Sequence, residues 1–248
     1  MTTATARRPG RGNRALQFLI IVAGLGVTVA TWYGVQVFTR RFTESKLAGK
    51  TPYERALIRA MKAEGVYRDY LALARRQHDS ETAMFAMATA TRRGVTLLGP
   101  EDQARRIELL DHQLATTPAS QCAAIERGAP AAGRATLALI TRMDSVSMEE
   151  FATIVARSFH LAEENPAYRV PRVDHDETAN LLRSAGAGLA ARDRIRYFAA
   201  MSDLSAASDS EVCWWAQMLS RYVLQEEAEA RGNAVRLLTL AGAQEPAP

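Results

Sequence analysis

The sequence predicts an all-α protein with one N-terminal transmembrane helix followed by a soluble multi-helix domain. Three observations carry this expectation. Residues 15–39 contain no Asp, Glu, Lys, Arg or His. Beyond them, apolar residues recur at helical spacing between recognisable caps and glycine or proline stops. No segment alternates apolar and polar residues between hairpin turns, the pattern of a half-buried strand.

The apolar run, Ala15 to Thr39, would form a helix of roughly 37 Å, enough to cross a hydrocarbon core of about 30 Å with some tilt. Arg14 and Arg40 bound it, and Trp32 and Tyr33 lie near its end, where amphipathic rings favour the headgroup layer. A basic tail before an apolar run also opens a secretory signal, and Thr28-Val29-Ala30 offers a small-x-small site. The run continues through Val35, Val37 and Phe38, past the usual length of such a signal, so an uncleaved signal anchor is expected. Inside it, Gly26, Ala30 and Gly34 line up every four residues as a small-residue stripe, a candidate face for self-association.

Charge is distributed around this anchor. Residues 1–50 carry eight Arg and Lys against one Glu, leaving 23 basic and 26 acidic residues for the remainder. The basic excess thus flanks the membrane helix, where anionic headgroups attract it. The soluble part has no basic footprint for phosphate, which excludes a nucleic-acid partner. Lys occurs only at Lys46, Lys50 and Lys62, and with abundant Ala this points to a GC-rich bacterial source. The organisation expected is a basic cytoplasmic tail over 1–14, the span over 15–39, a linker over 40–50, a helical domain over 51–242 and a short tail over 243–248.

Thr51-Pro52 reads as an N-cap with proline at the first helical position, and Gly65 interrupts that helix. A second helix follows near Val66 to Gln77, and a third is capped by Ser80 and left at Gly94. Gly99-Pro100 opens a fourth, with Glu101 and Asp102 suiting the positive end of its dipole and Ile107, Leu110 and Leu114 facing inward. Short helices are expected around Cys122 and over Leu137 to Met143. Ser147 and Glu150 read as a capping box for a helix ending before Pro166, and Ser208 and Glu211 as another. Asn165 to Asp174 is the longest irregular stretch, and Asn233 to Leu240 the last short helix.

Few constellations carry chemistry. His160, Glu163 and Glu164 share a helix face, and Asp174, His175, Asp176 and Glu177 form the densest polar cluster. His160, Glu164, Asp174, His175 and Asp176 are therefore the metal-ligand candidates, although zincin and calcium-loop spacings are absent. Asp111-His112 is expected at an exposed helix end. Nucleophile elbows, phosphate loops and dinucleotide fingerprints do not occur, and no cofactor is expected. Cys122 and Cys213, an even count in an exported domain, permit one disulfide. The adjacent Trp214 and Trp215 diverge by about 100° on a helix, so one is expected in the core and the other on a contact surface.

Function follows from location more than from chemistry. The expectation is a membrane-anchored, non-catalytic envelope protein, an interaction or scaffold module for another envelope protein or for itself. The alternative is a tethered hydrolase or metal-dependent enzyme using carboxylates of the acidic segment Asp144 to Glu177. Basic residues balance on the two sides of the span, so they do not set its direction. Moving a short tail with four Arg outward would cost about 2.3 kcal/mol per charge per 100 mV. The N-terminus is therefore expected in the cytoplasm, and residues from about Phe42 onward outside the inner membrane.

Overall fold

A computed structural model describes residues 51–76, 90–127 and 132–243. They form helices and connections, with no strand among them. The expected anchor over 15–39, with Gly26, Ala30 and Gly34, lies outside the described residues, as does most of the third expected helix. No helix among the described residues is long and apolar enough to cross a membrane.

Helix α1 (Pro52–Ala63) opens with a complete capping box. Glu54 N–H donates to Thr51 Oγ1 at 3.2 Å, and Thr51 N–H donates to Glu54 Oε2 at 3.0 Å. It closes with Gly65 at φ 75°, a left-handed position that glycine adopts without Cβ strain. Val66 N–H then reaches back to the Met61 carbonyl and Gly65 N–H to that of Lys62, satisfying two carbonyls the helix leaves unpaired. Helix α2 (Tyr67–Arg76) follows. Residues 90–95 are helical too, so this helix stops one residue past the expected exit at Gly94. The glycine also serves a contact: a Cβ on Gly94 would stand 1.6 Å from the Ser158 carbonyl oxygen.

The remaining helices are α3 (Pro100–Leu114), α4 (Ala119–Glu126), α5 (Ala132–Ile140), α6 (Ser145–Glu164), α7 (His175–Ala187), α8 (Ala191–Ser202), α9 (Asp209–Gln225) and α10 (Ala228–Ala243). Three boundaries differ from expectation. Helix α6 starts at Ser145 because Asp144 takes the cap, its Oδ1 accepting from the Val146 and Ser147 N–H groups at 2.9 Å. Ser147 is already helical, and its hydroxyl donates to Asp144 Oδ2. Helix α5 begins before Leu137, and α10 spans more than the expected Asn233 to Leu240. The box at Ser208 and Glu211 forms as read.

Two apolar cores result. In the first, α1 lies along α6, with Tyr53 against Phe151 and Tyr70 against Phe159 at ring separations of 6.4 and 5.9 Å. The second gathers α7 to α10 around Tyr197, Trp215, Leu219 and Val235. Helix α4 touches both, since Cys122 and Ile125 belong to the first and Ala123 to the second. Cys122 is bonded to Cys213 with 5.5 Å between Cα atoms. Arg127 reinforces the joint. Its Nε donates to the Leu204 carbonyl at 3.0 Å, Nη1 to Asp209 Oδ1 at 2.6 Å, and Nη2 to the Ala207 carbonyl.

The packing fixes how two glycines respond to substitution. Gly94→Ala should lower stability by about 3 kcal/mol, as overpacking against a backbone carbonyl does. Gly188→Ala, at φ −71° with open space around it, should raise stability by about 0.5 kcal/mol. Urea midpoints at unchanged m-value check both. Thiol titration in denaturant should find no free thiol before reduction and two after it. Replacing both cysteines by Ala should cost about 4–5 kcal/mol in the chain-entropy account of a 91-residue separation.

Candidate functional site

Helix α3 runs between the two cores, touching α5 and α6 on one side and α9 and α10 on the other. Periodicity placed Ile107, Leu110 and Leu114 inward. Leu114 is buried and Ile107 and Leu110 are half-buried, while the adjoining face, Gln103, Arg106, Leu109 and Gln113, is buried throughout. The Gln103 amide is satisfied, with Nε2 donating to the Val95 and Leu98 carbonyls at 3.2 and 3.1 Å. Arg106 is not.

Between α3, α4, α5, α9 and α10 lies a cavity of about 110 Å³. Its walls are mostly apolar, from Ile107, Leu110 and Leu114 on α3, Ile125 on α4, Leu139 on α5, and Leu219 and Leu238 opposite. Arg106, Asp111 and Glu126 interrupt them, together with Thr136, Trp215 and Ser220. Arg106 is 5% exposed and its Nε has no hydrogen-bond partner. Among the described residues, no carboxylate forms an ion pair with it. Burial lowers its pKa to about 10, so the guanidinium stays charged at neutral pH.

Glu126, 9% exposed, responds differently. Burial first, and then the nearby Asp111 charge, push its carboxyl up to about 8, so it is protonated at neutral pH. Asp111 is itself raised by burial, against the opposing charges of Arg221 and His112. Its Oδ1 is buried without a hydrogen-bond partner, as is Trp215 Nε1. No His or Cys is among the described residues that line the cavity. The arrangement suits holding and orienting a small molecule: apolar walls, one fixed cation, a neutral carboxyl at Glu126 and a second carboxyl at Asp111 that faces Arg221 and His112.

No family model, curated protein or solved structure matches this chain.

The residues singled out from sequence mostly serve the fold. Asp174 caps α7, with Oδ1 accepting from the Asp176 and Glu177 N–H groups, while His175 and Asp176 are exposed in its first turn. His160 meets Glu164 at 3.2 Å and nothing else of that set. Among the described residues, no three His, Cys, Asp or Glu side chains gather as a metal would require. Trp215 is buried against Tyr197, and Trp214 is half-buried with the Arg196 guanidinium 4.2 Å above its ring. Asp111, expected at an exposed helix end, instead lines the cavity because α3 is covered on both sides. Arg106 and Glu126 were not anticipated. The signal for Arg106 is its position on the same helical stripe as Gln103, Leu109 and Gln113. Glu126 has no local signal, standing beside Arg127 like a solvated helix end.

The Glu126 carboxyl rises from 4.5 to about 8 on folding, so the folded state binds the extra proton between those values. Stability should therefore fall as pH rises through this window, by up to about 1.4 kcal/mol per unit. Asp111 adds to the slope with the same sign. Urea midpoints measured across the window should show the decline in the parent and a flatter profile in Glu126→Gln.

Proposed function

We propose that this chain is a single-pass, membrane-anchored, non-catalytic binding module of the bacterial envelope. The helix expected over 15–39 holds it in the inner membrane, and the all-α domain stands on the extracytoplasmic side. There it interacts with another envelope protein or with a second copy and carries a ligand site at its centre. The observation that carries the binding role is Arg106, charged and buried beside an apolar-walled cavity without a counter-ion among the described residues. Such a group is costly until a complementary partner reaches it.

The enzyme alternative drew on carboxylates between Asp144 and Glu177. Most of those acids have structural work. Asp144 and Asp174 cap helices, Glu149 meets Arg59 at 2.7 Å, Glu150 takes two hydrogen bonds from Arg105, and Glu164 meets His160. They are spread over several helix faces, and the cavity carboxyls come from outside the segment. This favours binding over hydrolysis.

The full chain should stay in the membrane pellet after alkaline carbonate extraction. Alkaline phosphatase fused after Pro248 should be active, and a fluorescent reporter that folds only in the cytoplasm should be dark. Release into the supernatant would remove the anchor, and the reversed reporter pair would place the domain in the cytoplasm. Affinity capture from detergent-solubilised membranes should return one stoichiometric envelope protein or a differently tagged second copy. Recovery of neither would remove the interaction role.

A further inference from the structure

We infer that the cavity between α3, α4, α5, α9 and α10 binds a small monocarboxylate with a short apolar chain, its carboxylate held by the Arg106 guanidinium. The inference rests on the domain being a binding module and names the class of its ligand. The argument begins with charge. Arg106, Asp111 and Glu126 all line the cavity, yet among the described residues neither carboxyl forms an ion pair with the guanidinium. A buried carboxyl can escape its desolvation penalty by keeping a proton, and Glu126 does so. A guanidinium has no such escape at neutral pH. Asp111 also lines the cavity, but the opposing charges it faces are those of Arg221 and His112, so the Arg106 guanidinium is the cavity charge left without a counter-charge among the described residues, and its missing partner is an anion.

The surroundings narrow the anion. The planar fork of Arg matches a carboxylate through two parallel hydrogen bonds. Around it the walls are the side chains of Ile107, Leu110, Leu139, Leu219 and Leu238. An inorganic anion at Arg106 would face a mostly apolar wall with no use for it, whereas an alkyl carboxylate turns its charge to Arg106 and its chain to the leucines. Size guides the choice of chain length. Benzene occupies an apolar cavity of about 150 Å³. The 110 Å³ here, in a pocket open to one side, accommodates a short chain, and butyrate is the probe that fills it. A cation could reach the unpartnered Asp111 Oδ1 but would meet the Arg106 guanidinium in the same cavity, and butylammonium tests that alternative.

The test is thermal unfolding of the full-length chain in detergent with butyrate, butyramide, butylammonium or sodium chloride at matched ionic strength. Butyrate should raise the midpoint in a saturable way, and the other three should have little effect. Arg106→Gln should weaken the butyrate response about tenfold or more, and Arg106→Lys, which keeps the charge but not the fork, by an intermediate amount. Without ligand, Arg106→Gln should unfold no more readily than the parent, since it removes an uncompensated buried charge. An arginine with a purely structural role would give the opposite result. A saturable response to butyramide or butylammonium but not butyrate would overturn the carboxylate and leave the binding cavity standing. A chloride response equal to that of butyrate would also overturn it, in favour of a simple anion site. If no probe saturates, both the ligand class and the cavity as a binding site fall. If Arg106→Gln does not fold, retention of the full butyrate response by Arg106→Lys would exclude the fork.

Discussion

The joint between α4 and α9 is the constraint on which the rest of the domain depends. Helix α4 has eight residues, too few to persist on its own propensity, so its position is imposed by what it is fastened to. The Cys122–Cys213 bond fixes its middle, and three donations from Arg127 to the segment between Leu204 and Asp209 fix its C-terminal end. With α4 held in this way, Ile125 joins the first core, Ala123 the second, and Glu126 is turned into the space between them. The cavity is thus a consequence of how the two cores are stapled together.

Neighbouring charged residues in this domain have opposite fates. Arg105 donates to both oxygens of Glu150 at 2.7 Å and to Glu108, at a half-exposed rim where the ion pairs orient α3 against α6 and contribute little individually. Arg106, one position further round the helix, is enclosed and has none of these partners. Arg127 is fully used as a clamp, while Glu126 beside it keeps a proton in the interior. Two adjacent positions on a helix point about 100° apart. Where a helix is covered on one side, that angle separates core from solvent. Where it is covered on both, as α3 is, it separates a satisfied charge from a buried one.

The outline of the fold was legible in the sequence because its signals are local. Thr51 and Pro52, Gly99 and Pro100, the stop before Pro166 and the box at Ser208 and Glu211 each act within about one turn of helix, where capping hydrogen bonds are decided. Competition between two local signals was harder to read. Asp144 and Ser147 both make good caps, and the earlier one won because a carboxylate can accept from two N–H groups at once. Gly94 stands one residue from its helix end, close to where a stop is expected, and it also provides room for the Ser158 carbonyl on a helix distant in sequence.

The sequence by itself determined that this is a helical chain, where most of its helices start and stop, and that two cysteines were available to be joined. The tertiary structure alone decided that they meet, that α3 is buried on two faces, and that Arg106 and Glu126 enter one cavity. The physical reason lies in range. Helix formation and capping are settled by hydrogen bonds between residues a few positions apart, so they are written in consecutive letters. The burial of a charge depends on which helices arrive from elsewhere in the chain to cover it. The stripe that Arg106 shares with Gln103, Leu109 and Gln113 turns it inward, but the letters around it do not say which helices arrive to cover it.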